Sequence, residues 1–381
     1  MLSGKGKAAG LIGALALSAV GTAGAQERTV IGTTADGTQV ESILLRDGTG
    51  MQARVITLGA ALHSLEVPDR DGKYADVLLG DGNLQATLDN PQYFGTIVGR
   101  FANRIAKGRF TLDGKTYQVP VNNGVNALHG GKQGFDKVVW KVVEATADHA
   151  TLQHVSPDGD QGFPGTLTVT ATYALKGNGR LEIDYSATTD APTVVNLSNH
   201  AYWNLSGEGS GSAMEHELTI PASAYTPVDA TLIPTGVLKP VEGTVFDFRT
   251  AKPIGRDLRR GDEPQLLIGQ GYDHNFVISK TPSRELREVA RVHDPRSGRV
   301  MVLSSTQPGL QFYSGNFLDG STVGKSGRVY RQGDAIALEP QLFPDTPNQP
   351  AFGSGRLAPG ETYLNRIVYD FSTDRPPPKR R

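Results

Sequence analysis

An all-β fold, a large antiparallel β-sandwich with few short helices, is predicted by three observations. Short β-prone runs recur along the chain, 46 glycines and 23 prolines punctuate them, and helical periodicity is scarce. Strands at that density with Gly/Pro turns between them bury their apolar faces best by packing sheet on sheet.

Each element follows from local chemistry. In Phe110-Thr-Leu-Asp113-Gly114-Lys-Thr-Tyr117, an Asp-Gly pair separates two β-prone runs, and a two-residue hairpin turn needs the positive φ that these residues tolerate. Asn178-Gly179 plays the same part between runs Thr166 to Leu175 and Leu181 to Thr188. Further strands are predicted at Ser42 to Arg46, Gln52 to Leu58, Leu62 to Val67, Val138 to Glu144, Val300 to Ser304 and Ile367 to Phe371. Only Gly82 to Leu88 and Ile254 to Arg259 have the spacing of a turn or two of helix.

The ends carry different signals. Lys5 and Lys7 precede an apolar run from Leu11 to Val20, and Ala23-Gly24-Ala25 precedes Gln26, the pattern of a secretory signal peptide over 1–25. A spanning helix needs about 20 apolar residues, so no membrane anchor is expected once the signal is removed. This reading predicts an exported protein, periplasmic or extracellular. One domain is expected over 26–375, since no linker interrupts it, with 376–381 (PPPKRR) a solvated basic tail.

Without its first 25 residues the chain has 36 basic and 39 acidic residues. Such a balance offers no basic stripe to nucleic acid or anionic lipid. Cysteine is absent, which excludes disulfides and thiolate metal sites.

The densest polar cluster is Val194-Val195-Asn196-Leu197-Ser198-Asn199-His200-Ala201-Tyr202-Trp203-Asn204-Leu205. An extended chain there places Asn196, Ser198, His200, Tyr202 and Asn204 on one face, with Leu197, Ala201, Trp203 and Leu205 opposite. A lone strand histidine is more often structural, but these polar companions favour a functional one. His129 lies in the turn-rich run Asn122 to Gly131. Gly99-Arg100-Phe101-Ala102-Asn103-Arg104-Ile105 reads either as an Asn-Arg pair donating to hydroxyls or as a structural arginine paired with a carboxylate. Two acids stand out, Asp273 in Gly271 to Phe276 and Glu339 in Leu338 to Asn348. Pro340 places Glu339 where a strand leaves the sheet, partly buried, with its pKa raised toward that of a useful base.

The segments Gly99 to Ile105, Asn122 to Gly131, Thr193 to Leu205, Tyr225 to Gly236, Gly243 to Phe248, Gly271 to Phe276, Gln311 to Phe317 and Glu339 to Asn348 together resemble the aldose 1-epimerases, or galactose mutarotases. The order is kept from about residue 30 to residue 370. The resemblance implies a sandwich of the mutarotase type and interconversion of α and β anomers of a free aldohexose, galactose or glucose. By it, Glu339 matches the base that takes the anomeric hydroxyl proton and His200 the acid that protonates the ring oxygen. Asp273 matches the carboxylate that grips sugar hydroxyls; Arg104, His129 and Gln311 match groups that hold the sugar, with Asn103 beside them. Trp203 stands where an aromatic, often Phe, is usual, and the loop Ser206 to Ser212 has no match, which leaves the rim of the site open.

The chemistry asks for one base and one acid, and for no metal, nucleotide or electron carrier. Phe312, Tyr313, Phe317 and Trp203 are candidates to pack on the apolar face of a pyranose. Rival readings are a glycoside hydrolase using Asp273 and Glu339, a non-catalytic carbohydrate-binding protein, and a metal site built from His129, His200, Asp273 and Glu339. A monomer or weak dimer is expected.

Overall fold

The computed structural model describes residues 27–89 and 92–375; the signal-like segment 1–25 and the tail 376–381 lie outside them. Five strands, Glu27–Thr33, Gln39–Arg46, Gln52–Ile56, Ala61–Pro68 and Tyr74–Asp76, form a sheet in chain order. A nine-stranded sheet runs from Lys141–Ala145 through His149–Ser156, Leu167–Leu175, Arg180–Thr189, Tyr363–Thr373, Arg299–Ser305 and Arg287–His293 to the short edge strands Glu217–Thr219 and Lys252–Pro253. A six-stranded sheet is ordered Tyr202–Trp203, Ile336–Gln341, Gly309–Tyr313, Asp273–Val277, Ala224–Thr226, Lys239–Pro240. Every pairing between these strands is antiparallel. One apolar cluster draws on all three sheets, with Ile43, Val55 and Leu62 from the first, Leu152, Val169, Ile183, Leu303 and Ile367 from the second, and Phe276, Leu310, Phe312 and Leu338 from the third. The sandwich expectation therefore holds, with strands facing strands across that core.

The predicted hairpins form as their turns require. Arg109–Leu112 pairs with Lys115–Gln118 around Asp113 and Gly114, at φ 49° and 81°; Leu167–Leu175 pairs with Arg180–Thr189 next to Asn178 and Gly179, at 52° and 80°. The helix expected at Gly82 to Leu88 is Leu84–Asp89. That at Ile254 to Arg259 shrinks to a 3₁₀ turn, Ile254–Arg256. A helix not foreseen, Pro264–Gly269, has Pro at its first turn and Glu263 as N-cap, accepting from the Gln265 N–H.

Two expectations change. Residues 193–205 are not one strand but three two-residue pieces, Thr193–Val194, Ser198–Asn199 and Tyr202–Trp203. The cause is that the polar side chains bond backbone elsewhere. Asn196 Nδ2 donates to Ala102 O, Ser198 Oγ to Pro340 O at 2.9 Å, and Asn204 Nδ2 to Gly211 O and Asp334 O. Leu197, Ala201, Trp203 and Leu205 do enter the core together. Replacing Ser198 by Ala leaves the Pro340 carbonyl without this buried donor, and is expected to lower stability by about 1–2 kcal/mol, read from the urea midpoint.

Glu339, second, lies within the strand Ile336–Gln341 and opposite Gln311 rather than where a strand ends. The neighbour Tyr202–Trp203 pairs only with Ala337 and Ile336. Pro340 therefore follows where that ladder has already finished, and its missing N–H costs no pairing.

Candidate active site

The six-stranded sheet presents a row of polar side chains on one face. Asn275, Gln311 and Glu339 are directly opposite one another on three adjacent strands, and Asp273, two residues before Asn275, shares their face. Gln311 Nε2 donates to Asp273 Oδ1 at 2.6 Å, the reach of a diagonal neighbour across a strand pair.

Arg104 enters from the two-residue strand Arg104–Ile105, paired with Ala127–Leu128. Its Nη1 lies 3.5 Å from Asp273 Oδ2, and its Nε donates to Asn123 Oδ1 at 3.0 Å. Asp345 N–H donates to the Arg104 carbonyl. Both members of the ion pair are buried, so its geometry is held by packing as well as by charge.

His129 follows from a tight backbone crossing. Its φ is 51°, and a Cβ on Gly130 would lie 2.0 Å from Gly99 O, which is why glycine must follow the histidine. His129 Nδ1 accepts from the Asn103 N–H at 3.1 Å. The neutral ring therefore carries its hydrogen on Nε2 and presents a donor there. Asn103 also accepts the Arg104 N–H through its own Oδ1. Its described bonds hold Arg104 and His129 in place.

His200 is fixed through its backbone. Its N–H donates to Thr96 O at 2.9 Å and its carbonyl accepts from Gly95 N–H at 3.0 Å. Its Nε2 lies 3.7 Å from Glu339 Oε1. Glu339 is 2% and His200 6% exposed; Glu339 Oε2 and His200 Nδ1 are buried with no hydrogen-bond partner among the described residues.

Burial works on the two groups in opposite senses. It raises the Glu339 pKa well above the usual carboxylate value, helped by the Asp273 charge and opposed by Arg104. It lowers His200 to about 4 and His129 well below its ordinary value, with the charges of His200 and Arg104 adding to the latter. Desolvation thus reverses the order of a free glutamate and a free histidine.

All seven residues singled out from sequence, Asn103, Arg104, His129, His200, Asp273, Gln311 and Glu339, are buried, and the bonds and contacts above join them into one cluster. The aromatic candidates divide. Trp203 and Phe312 are core residues, Trp203 against Tyr369 and Phe371 and Phe312 stacked on Tyr272. Phe317 is half exposed and stacked on Tyr313; Tyr202, whose ring is 5.0 Å from that of His200, was part of the polar cluster but not among the aromatic candidates. Tyr93 was missed altogether, since no pattern around it announces a site.

Ligand atoms of His129, His200 and Glu339 lie within 4.8 Å of one another, a spacing that invites comparison with a metal site. The residues do not fit one. His129 Nδ1 is occupied as an acceptor and Nε2 bears the hydrogen, so neither nitrogen offers a free lone pair.

The unmatched loop Ser206 to Ser212 is tied down. Glu208 Oε1 accepts from the Tyr330 hydroxyl and Arg328 Nη1 donates to Gly209 O.

The family model "Aldose 1-epimerase" matches residues 41–370. The chain is 47% identical to the galactose mutarotase of Rattus norvegicus over 346 residues, covering 91% of this chain and 98% of the rat protein. It is 39% identical to the aldose 1-epimerase of Escherichia coli K12 over 88% of this chain and 96% of that one. Among solved structures, an aldose epimerase homologue from C. elegans superposes with a TM-score of 0.80 at 33% identity, covering 87% of this chain and 98% of its own. Galactose 1-epimerase from Lactobacillus acidophilus gives 0.80 at 27%, with 91% and 98% covered.

These relatives correct one expectation. An exported protein, periplasmic or extracellular, was inferred from lysines ahead of an apolar run; the mammalian galactose mutarotases that match most of the chain are typically cytosolic enzymes. Composition of that kind does not by itself fix a compartment. Among the described residues no helix is long and apolar enough to cross a membrane. With the fold, the family model and the relatives in agreement, the chain belongs to the aldose 1-epimerase family and is an isomerase-type enzyme.

Proposed function

We propose that the protein interconverts the α and β anomers of free aldohexoses, galactose and glucose, with Glu339 as base and His200 as acid. The observation that supports this most is the buried Glu339–His200 pair at 3.7 Å, set beside the Arg104–Asp273 ion pair on one polar wall.

Ring opening moves two protons. Glu339 takes the proton of the anomeric hydroxyl as His200 gives one to the ring oxygen; the bond from C1 to that oxygen breaks and an aldehyde forms. Rotation about C1–C2 exposes the other face, and the same two groups return their protons in reverse as the ring closes. The pair needs one proton in all, and its opposed shifts make Glu339 a stronger base and protonated His200 a stronger acid than the free side chains. Asp273 and the buried Oε1 of Gln311 are acceptors for sugar hydroxyls, while Arg104 and the Nε2–H of His129 are donors. Asn103 acts through His129. Tyr313 and Phe317 supply an apolar surface for ring C–H groups.

Burial holds His200 down to about 4, so its own titration adds no step near neutral pH. Initial kcat/KM is therefore expected to stay flat as pH falls through about 6.5, where an ordinary histidine titrates. A rate profile from enzyme kept neutral and jumped to each pH checks this. Asp273→Asn removes an anionic acceptor and is expected to raise KM about 10–100-fold, equivalent to about 1.5–3 kcal/mol, with a smaller change in kcat.

A glycoside hydrolase would need Asp273 or Glu339 to donate a proton to a leaving group. Asp273 instead faces two donors, Arg104 and Gln311. Incubation with methyl galactosides and assay of reducing sugar tests the point: none is expected, and release at a rate comparable to anomer exchange in galactose would overturn the proposal.

A further inference from the structure

We propose that Tyr93 is a positioning residue for the proton-transfer pair, its ring standing between the two site imidazoles and a neighbouring cavity so that their orientation is fixed and cavity water is kept from His200. The proposal rests on the reading of His200 as the acid.

Three observations carry it. Tyr93 meets both imidazoles, with its ring centroid 4.8 Å from His129 in an edge-on arrangement and 5.7 Å from His200, while the two imidazoles are 5.1 Å apart at 88°. Rings in such contact constrain one another's tilt. The backbone is built to hold the ring there: Tyr93 has φ 63°, an uncommon conformation for a bulky residue that persists only where its surroundings enforce it. Its carbonyl accepts from both the N–H and the Oγ1 of Thr96. Thr96 O and Gly95 N–H are in turn the groups that clamp the His200 backbone. One short turn therefore places both the tyrosine ring and the His200 main chain.

On its other side Tyr93 lines a cavity of about 800 Å³, bounded also by Leu58, Asp81, Thr96, Lys132 and Lys137. Neither His129 nor His200 lines it. Asp136 borders the same space, 4% exposed, with neither carboxylate oxygen hydrogen-bonded among the described residues. The charges of Asp136 and Arg104 both reach the Tyr93 hydroxyl. The titratable groups that face His200 itself are Glu339 at 3.7 Å, His129, Tyr202 and Tyr93. Removing the ring joins this space to the imidazole. Water that reaches His200 stabilises its cation and restores part of the hydration that burial removes, and the ring loses an orienting neighbour.

The test compares wild type, Tyr93→Phe and Tyr93→Ala by initial rates of galactose mutarotation after jumps from neutral pH. Tyr93→Phe keeps the ring contacts and is expected to stay within about twofold of wild type at every pH. Tyr93→Ala is expected to lower kcat about tenfold at neutral pH, with little change in KM, and to show a new acid limb between about pH 5 and 6.5. A merely structural role would lower stability without moving that limb. A Tyr93→Ala profile that superimposes on the wild type overturns the proposal, as does a change in KM alone, which would make Tyr93 a sugar contact. If Tyr93→Ala does not fold, Tyr93→Leu keeps the bulk without the ring contacts and must still lower kcat more than Tyr93→Phe does. Failure of the acid assignment appears separately, as activity retained by His200→Asn.

Discussion

Glu339→Gln and His200→Asn are each expected to lower kcat/KM for galactose by about 10²–10⁴-fold, the usual worth of a positioned acid or base. Glu339→Gln keeps volume, His200→Asn removes part of the ring, and both leave the surrounding backbone bonds intact, so the fold should survive. The loss belongs in kcat, because neither group is the main grip on the sugar hydroxyls. The double variant is expected to be little worse than the poorer single one: opening the ring needs a proton removed and a proton delivered together, and once one partner is gone the other has no concerted step to assist. Full additivity would show that the two act in independent steps. Anomer exchange followed by NMR line broadening gives the rates.

Arg100→Ala is expected to cost about 3–5 kcal/mol of stability, by analogy with removing one partner of a buried charged network, and to show as a large fall in the urea midpoint. Arg100 is 2% exposed. Its Nη1 donates to Pro164 O, Gly165 O and Thr193 Oγ1, and its Nη2 to Ser156 O, Ser156 Oγ and Pro157 O. Burial lowers its pKa to about 10, still a cation at neutral pH. Truncation leaves several carbonyls inside the protein without a donor, at about 1–3 kcal/mol for each that water does not reach. The galactose KM of the folded variant should be unchanged. Arg104→Ala, four residues along, should do the reverse, raising KM through loss of the Asp273 partner. The pair of measurements separates the two arginines, one for the fold and one for the sugar.

That contrast shows where sequence reasoning reaches and where it stops. A structural arginine with a carboxylate partner was weighed for the run Gly99 to Ile105; Arg104 does meet a carboxylate, Asp273, whereas Arg100 is held by carbonyls and hydroxyls. Alternating strands of the nine-stranded sheet were legible because one face is apolar and the other wet, as in Leu167–Leu175 and Arg180–Thr189. The strands that carry the site, Asp273–Val277, Gly309–Tyr313 and Ile336–Gln341, were not, because they are buried along nearly their whole length on both faces. Their polar row is hidden, so alternation no longer reports water. The seven candidate residues were singled out from polar local settings and from the order of eight short segments, Gln311 from that order alone. Tyr93 escaped because ring contacts between distant segments leave no trace in spacing.

The most direct test of the account follows the optical rotation of freshly dissolved α-D-galactose and α-D-glucose with the purified chain, in a chelator-treated buffer of low catalytic strength. The account predicts rapid decay to the equilibrium rotation, unaffected by chelator and abolished in Glu339→Gln and His200→Asn. Decay at the spontaneous rate with wild-type enzyme on both sugars, or full acceleration by both variants, would contradict it.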